Sequence, residues 1–297
     1  MTRMTARDFD QELLDLYDFY AHGKISKREF LDRAGKWAVG GLTAAAILTT
    51  LSPNYALAQQ VREDDADITG EDITYVSPNG HGDVNAYLVR PAEIDPERPP
   101  AAVLVVHENR GLNPYIRDVA RRVAKAGFVA LAPDGLTSIG GYPGNDDEGR
   151  EMQRQVDGEK LMNDFFAGYE YLAAMEGTNG KVGATGFCYG GGVVNALAVA
   201  YPELDAGVPF YGRQAAAGDV PKIETPLLFQ YAALDSRINA GWPEMQKALE
   251  ENDKIYDALI WPDVNHGFHN DTTPRYDARA AEAAWEKTVA WFRVYLA

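Results

Sequence analysis

The sequence has very little cysteine, few basic residues and no long apolar segment. Its single cysteine, Cys188, excludes an internal disulfide and any metal site built from several thiolates, and no metal is predicted. The apolar run from Trp37 to Leu51 is too short and too rich in glycine and threonine for a stable membrane span. A formal net charge of -16 argues against nucleic acid or an anionic membrane as a partner.

The N-terminal 58 residues differ in pattern from the rest of the chain. Apolar residues recur at helical spacing from Asp8 to Tyr20, which predicts a short amphipathic helix. The basic pair Lys27-Arg28, the apolar run and the small residues Ala56-Leu57-Ala58 then follow in an order that resembles a twin-arginine export signal. The pair is not Arg-Arg, and the first twenty residues are acidic. The favoured prediction is an exported, periplasmic protein.

The alternative is an N-terminal helical extension that the protein retains. Such an arm would pack on the main domain or on a second subunit, where it would support a homo-oligomer, and the protein would then be cytoplasmic. Residues 59–72 are polar and are predicted to form a linker. The main domain is expected to span 73–297.

Strand and helix patterns alternate through the main domain. Ile73–Val76 and Val84–Val89 predict an antiparallel hairpin, and Ala101–His107 predicts a strand buried on both faces. A long helix is predicted from Asp146 to Met175, and the last helix from Tyr276 to Leu296. The fold expected is α/β: a mostly parallel central sheet flanked by helices, with an antiparallel first hairpin and the N-terminal extension.

Cys188 lies in a Gly-x-nucleophile-x-Gly pattern between a predicted strand and a predicted helix. The glycines at 186 and 190 would let the strand and the helix pass closely at a sharp turn. The sulfur would then lie at the helix N-terminus, where free N–H groups and the helix dipole favour a thiolate. A buried structural cysteine is the alternative.

An acid and a base follow Cys188 in the chain, each after a predicted strand. Asp235 follows one strand and His266 follows the last, which is the nucleophile–acid–histidine order of α/β-hydrolases. His266 would accept the thiol proton, while Asp235 would orient the imidazole. Backbone N–H groups of Tyr189 and Asn109 would form the oxyanion hole. Other side chains compete for these roles: Asp263 for the acid, and His269 and His107 for the base.

These motifs together resemble the dienelactone hydrolase (carboxymethylenebutenolidase) family. They are Gly186 to Gly191, His107 to Leu112, Asp235 and His266 to Phe268, and the resemblance covers roughly Ile73 to Ala297. It implies an α/β-hydrolase fold with a Cys-His-Asp triad, no cofactor, and a small ester or lactone as substrate.

The resemblance also implies a role for Glu108. Its carboxylate would lie beside the thiol and hold Cys188 protonated at rest, because a nearby negative charge disfavours a thiolate. The alternative for Glu108 is a salt bridge to Arg110 or Arg117.

Substrate contacts are harder to assign from the sequence. The family's enzyme that opens the dienelactone ring holds its substrate carboxylate with arginines, one of them shortly after the catalytic histidine. No arginine occupies the corresponding stretch of this chain, Phe268 to Asp271. Arg213 and Arg275 are the candidates to replace it, and Tyr142 and Tyr211 are candidates to line the pocket.

Two functions are therefore weighed. The first is a hydrolase that cleaves small lactones or carboxylic esters through an acyl-thioenzyme. The second is a thiol-based binding or redox-sensing protein on a hydrolase scaffold, suggested by the solitary thiol.

Overall fold

The computed structural model describes residues 4–38, 42–57 and 59–297. The predicted apolar run and the small residues at 56–58 therefore lie partly outside the described residues. The strands of one eight-stranded sheet are β1 (Ile68–Ser77), β2 (Gly82–Pro91), β3 (Ala102–Val106), β4 (Val129–Pro133), β5 (Val182–Phe187), β6 (Ala206–Phe210), β7 (Leu227–Ala232) and β8 (Tyr256–Trp261).

The sheet has the order β1-β2-β4-β3-β5-β6-β7-β8. β1 and β2 form the antiparallel hairpin, β2 also pairs antiparallel with β4, and the strands from β4 to β8 are parallel. The strands from β3 to β7 are buried along their whole length, as their continuous apolar runs predict. The predicted fold class is confirmed. β1 begins at Ile68, so the linker predicted over 59–72 ends inside a strand.

The described helices include ten α-helices. They are α1 (Gln11–Ala21), α2 (Lys27–Ala34), α3 (Ala44–Leu51), α4 (Pro114–Lys125), α5 (Asp146–Gln155), α6 (Gly158–Ala173), α7 (Tyr189–Ala200), α8 (Ser236–Asn239), α9 (Trp242–Glu251) and α10 (Ala278–Tyr295). None of the described helices is long and apolar enough to cross a membrane.

The single long helix predicted from Asp146 to Met175 is wrong, because the chain leaves the helical conformation at Val156. Asp157 then caps a new helix, and its side chain accepts hydrogen bonds from the backbone N–H groups of Glu159 and Lys160. An aspartate followed by a glycine favours such a restart, because the carboxylate satisfies amide groups that have no partner within the helix.

Residues 4–57 of the described chain form a compact helical arm, with α1, α2 and α3 packed around their own small core. Its buried side chains include Leu13, Leu14, Leu16, Tyr17, Tyr20, Phe30, Ile47, Leu48 and Leu51. Burial of a large apolar side chain contributes about 1.5–3 kcal/mol, so this cluster is a real source of stability for three short helices.

The arm lies on the main domain over the carboxyl ends of the strands. Asn109 Nδ2 donates to the carbonyl oxygen of Ala21 at 2.8 Å, and Asn54 N donates to the carbonyl oxygen of Thr272 at 2.8 Å. Polar groups near the carboxyl ends of the strands, where ligands bind in sheets of this kind, are therefore in contact with the arm.

Candidate active site

Cys188 stands at a strained turn between β5 and α7. Its φ of 57° and ψ of -111° lie in a region that side-chain-bearing residues rarely adopt. A Cβ atom at Gly186 would lie 2.2 Å from the carbonyl oxygen of Gly190, and one at Gly190 would lie 2.3 Å from that of Val106. The two glycines therefore permit the close crossing of strand and helix that presents the sulfur.

His266 and Asp235 meet beside this turn, although 31 residues separate them. Asp235 follows β7 and caps α8, and its Oδ2 lies 2.5 Å from Nδ1 of His266, in the loop after β8. The pair is buried, and the ring of Tyr211 packs on that of His266 at 4.8 Å between centroids. The contact with Asp235 fixes Nδ1 of His266 as the protonated ring nitrogen and directs Nε2 away from the carboxylate.

The alternative candidates for the base, His269 and His107, and for the acid, Asp263, make other contacts. His269 packs against Phe187 and its Nδ1 contacts the Tyr115 hydroxyl at 2.7 Å, while burial and then the charge of Arg122 hold its pKa well below the usual range. Nε2 of His107 accepts a hydrogen bond from the backbone of Gly135. Asp263 is exposed, whereas Asp235 contacts the imidazole.

A second histidine contacts the sulfur, and sequence reasoning missed it. Nε2 of His22, at the end of α1 in the arm, lies 3.1 Å from Sγ of Cys188. One ring nitrogen of His22, the sulfur of Cys188 and one ring nitrogen of His266 all lie within 4.8 Å of one another. The rings of the two histidines meet edge to face at 4.6 Å.

His22 carries its own carboxylate partner. Asp18, one helical turn earlier in α1, places Oδ1 3.1 Å from Nδ1 of His22. The same carboxylate pairs with Arg237 at 3.0 Å and with Arg275 at 3.4 Å. Two aspartate–histidine pairs, one from the arm and one from the domain, therefore converge on a single thiol.

These neighbours decide the charge of the sulfur. Burial alone raises the pKa of Cys188, but the charges of His22 and His266 outweigh it and hold that pKa well below the usual range. Burial lowers the pKa of His266, but the charges of Asp235 and Cys188 more than offset this and raise it to about 10. The arrangement therefore favours a thiolate beside imidazolium at neutral pH.

Glu108 is buried in the site, and the role that the resemblance implies for it, holding the thiol protonated at rest, stays a prediction. Burial raises the pKa of Glu108, Arg110 opposes that rise, and the charge of Cys188 adds to it. Its Oε2 accepts a hydrogen bond from Asn270 at 3.1 Å and lies 3.7 Å from Nε of Arg110.

The groups proposed for the oxyanion hole lie at the ends of two neighbouring elements. Tyr189 is the first residue of α7, where backbone N–H groups have no partner within the helix. Asn109 follows β3, and its side chain is held by the carbonyl oxygen of Ala21 from the arm.

The residues predicted to contact the substrate lie in different parts of the structure. Arg275 is buried at the site, where it pairs with Asp18 and lies over the ring of Tyr17 at 5.1 Å. Arg213 is exposed. Tyr142 lines a different cavity, where its backbone N–H donates to Asp134.

The arm closes the site. Cys188 is 8% exposed, and the nearest cavity, of about 100 Å³, lies between α1 and the domain. Its lining includes Asp18, Asp235, Arg237, His266 and Arg275, but not Cys188. The sulfur is therefore largely covered while the arm occupies this position.

The missed residues left only a faint signal in the sequence. Asp18 and His22 are four residues apart on an amphipathic helix, the spacing at which helical side chains touch. Nothing in the local pattern indicates that this pair faces Cys188, 166 residues away.

Comparison with known proteins agrees with this geometry. A sequence model of the dienelactone hydrolase family matches residues 84–296, and a second, named YqhI-like, matches residues 1–38. A proposed hydrolase fragment named YghX, from Escherichia coli, is 67% identical over 116 residues, which are 39% of this chain and 97% of the fragment. A proposed carboxymethylenebutenolidase from Saccharolobus solfataricus is 33% identical over 236 residues, covering 67% of this chain and 91% of the relative.

The crystal structure of a proposed dienelactone hydrolase from Klebsiella pneumoniae is similar as well. It superposes with a TM-score of 0.66 at 26% identity, over 77% of this chain and 99% of that one. The sequence matches, the sheet order and the Gly-x-Cys-x-Gly turn agree with one another. The chain belongs to the dienelactone hydrolase family and is a hydrolase.

Proposed function

We propose that the protein cleaves small lactones or carboxylic esters through a Cys188–His266–Asp235 triad and an acyl-thioenzyme. The observation that carries this proposal is the buried His266–Asp235 pair beside a strained thiol at a helix N-terminus. The chemistry suits the geometry, because the thiolate is the reactive nucleophile and the arrangement lowers the pKa of the thiol.

In the proposed first step the Cys188 thiolate attacks the carbonyl carbon, and the carbonyl oxygen takes the negative charge. The backbone N–H groups of Tyr189 and Asn109 stabilise that oxyanion. As the intermediate collapses, the carbon–oxygen bond to the leaving group breaks, and the His266 imidazolium donates its proton to the departing alkoxide. The product is an acyl-thioester of Cys188 and an alcohol, which stays attached if the substrate is a lactone.

In the second step the roles of His266 reverse. The neutral imidazole accepts a proton from water, and the hydroxide formed attacks the thioester carbonyl. The carboxylic acid leaves and the sulfur is again a thiolate beside imidazolium. Asp235 orients the ring through both steps and stabilises its charged form.

Substrate entry requires the arm to move, because it covers the sulfur. Once α1 is displaced, Arg275 loses Asp18 as a partner and can bind an anionic or carbonyl group of the substrate. Arg275 is therefore the proposed substrate contact, and Tyr211, packed on His266, the proposed wall of the pocket.

Replacement of the nucleophile tests the proposal. Cys188→Ala should abolish turnover of p-nitrophenyl acetate, while the urea unfolding midpoint changes little, because the side chain lost is small. Mass spectrometry of the unmodified protein after rapid quenching should find an acyl adduct on the peptide that contains Cys188. Undiminished turnover by a folded Cys188→Ala variant would refute the triad.

The alternative of a thiol sensor stays a prediction. Sensor thiols are usually solvent-accessible and poised beside a resolving cysteine. Here Cys188 is buried, and the sequence contains no other cysteine. The hydrolase is therefore the better-supported proposal.

The fate of residues 1–58 is a separate proposal. Export with removal of this segment remains one alternative, and a retained arm is the other; the contacts of Ala21 and His22 with the domain favour retention. N-terminal sequencing of protein from its native cell decides between them. A start near residue 59 supports removal, and a start at Met1 or Thr2 supports retention.

A further inference from the structure

We propose that His22, Cys188 and His266 form a zinc site that the arm completes. The ligand atoms of these three side chains lie within 4.8 Å of one another, and the cluster is buried where the arm meets the domain. The domain alone supplies only two of the three ligands, so the site exists only while the arm is docked.

The donor set suits Zn²⁺. Zinc prefers thiolate and imidazole ligands, at about 2.3 Å for sulfur and about 2.0–2.1 Å for nitrogen. Tetrahedral geometry at those lengths places sulfur and nitrogen roughly 3.6 Å apart. Nε2 of His22 lies 3.1 Å from Sγ of Cys188, so these two atoms would have to move about 0.5 Å farther apart to bind an ion between them. A water molecule would take the fourth position.

Both imidazoles are held as zinc-binding histidines usually are. Metal-bound histidines commonly direct their second ring nitrogen at a carboxylate or carbonyl, which fixes the tautomer and the ring orientation. Nδ1 of His266 contacts Asp235 at 2.5 Å, and Nδ1 of His22 contacts the backbone oxygen of Asp18 at 2.7 Å and its carboxylate at 3.1 Å. Each ring can therefore offer Nε2 to an ion.

An unsatisfied atom points independently to a ligand. Nε2 of His266 is buried and has no hydrogen-bond partner among the described residues. Leaving a buried polar atom without a partner costs about 1–3 kcal/mol. A zinc ion between this nitrogen and the sulfur would satisfy it.

The surrounding charges permit a divalent cation. Nη2 of Arg237 lies 3.1 Å from Nε2 of His22, and this guanidinium and that of Arg275 oppose a positive ion. Against them stand the thiolate of Cys188 and the carboxylates of Asp18 and Asp235, which leave one negative charge when both imidazoles are neutral. Zinc binding displaces the proton that each imidazolium carries, and the site without those protons has a negative balance.

Zinc would have two effects. It would bond to the sulfur lone pair that attacks the substrate, and it would tie the arm to the domain. The first effect rests on the proposed function, because it matters only if Cys188 is the nucleophile. The binding itself does not, so a failure of either proposal can be recognised separately.

The experiment measures metal binding directly on the full-length chain. The metal-free protein is titrated with Zn²⁺ in competition with a chromophoric chelator, and Co²⁺ is used in parallel as a spectroscopic probe. We expect one Zn²⁺ per chain and a near-ultraviolet sulfur-to-cobalt charge-transfer band that is absent from Cys188→Ser. No ester or lactone substrate is used in either measurement.

The decisive variant is His22→Gln, which keeps a polar side chain near Asp18 but lacks an imidazole ligand. Its zinc affinity should fall by at least about 100-fold, because loss of a ligand should cost more than the 10–100-fold lost with a residue that only orients a ligand. A change in ester turnover would instead report access to the thiol. His81→Gln is the matched control, because His81 also contacts a carboxylate, Asp164 at 2.6 Å, but lies outside the cluster. Its zinc affinity should equal that of the unmodified protein.

The outcomes divide clearly. One-to-one binding that needs both His22 and Cys188, with the cobalt–sulfur band, supports the site. Absence of stoichiometric binding, or an unchanged affinity in a folded His22→Gln protein, overturns it. If zinc binds as expected but Cys188→Ala retains esterase turnover, the metal site stands and the proposed triad fails.

Discussion

Two aspartate–histidine pairs face the same sulfur, but they belong to different parts of the molecule. His266 and Asp235 extend from loops after β8 and β7, and the sheet holds them in place. Asp18 lies on α1 and His22 follows directly as its C-cap residue, in the arm that packs against the domain. The two pairs contain the same chemical groups, but one is held by the central sheet and the other by the arm.

This difference in support suggests different roles for the two aspartate–histidine pairs. We propose that the pair on the sheet keeps its position when substrate enters and carries out proton transfer, which requires fixed geometry. The pair on the arm must leave before an ester reaches Cys188. Contact with a nucleophile is therefore insufficient to identify a base; the support behind the contact also matters.

The largest expected effect separates the two histidines. His266→Ala should lower kcat for p-nitrophenyl acetate about 10³-fold, because it removes the general base and acid. His22→Ala should raise turnover several-fold, because it removes the side chain that covers the sulfur.

His81→Ala, which removes a histidine paired with a carboxylate away from the site, should leave kcat unchanged. Equal losses in His22→Ala and His266→Ala would break the comparison and make the arm part of the catalytic machinery.

A prediction of intermediate size tests whether the turn between β5 and α7, in the main domain, is rigid. Gly190→Ala should reduce the free energy of unfolding by about 3 kcal/mol, because its Cβ would lie 2.3 Å from the carbonyl oxygen of Val106. Gly192→Ala, in the same helix, should stabilise the protein by about 0.5–1 kcal/mol, because its nearest neighbour would be 3.6 Å away.

Urea unfolding monitored by circular dichroism measures both glycine variants. Similar midpoints for the two would mean that the turn between β5 and α7 yields easily, and that rigidity does not distinguish the domain from the arm.

The smallest expected effect concerns the arm. Asp18→Asn removes the charge that pairs with Arg237 at 3.0 Å and Arg275 at 3.4 Å, and should weaken docking by about 1.4 kcal/mol. Cleavage by trypsin at Lys24 should then speed about tenfold, because the open state becomes more populated.

Asp32→Asn is the control for this charge removal, since Asp32 is exposed on α2. Its cleavage rate should match that of the unmodified chain. If both variants are cleaved at the same rate, Asp18 does not hold the arm in place.

Much of the domain could be predicted because its signals are local. Buried strands appear as continuous apolar runs, and the glycines around Cys188 mark a close crossing of backbones. The order of Cys188, Asp235 and His266 then follows the order of the strands. The break at Val156 was missed, since an Asp-Gly pair inside a helical pattern is a weak signal compared with the apolar periodicity around it.

The sequence by itself determined the α/β sheet, the sharp turn at Cys188 and the chain order of Cys188, Asp235 and His266 at strand ends, because each depends on residues close together in the chain or on strand ends that a parallel sheet collects at one edge. Only the tertiary structure decided that His22 reaches Cys188, that Arg275 and not Arg213 is buried at the site, and that Tyr142 lines another cavity. Those choices depend on how the arm docks, and docking is the sum of contacts between residues far apart in the chain, which no local pattern records.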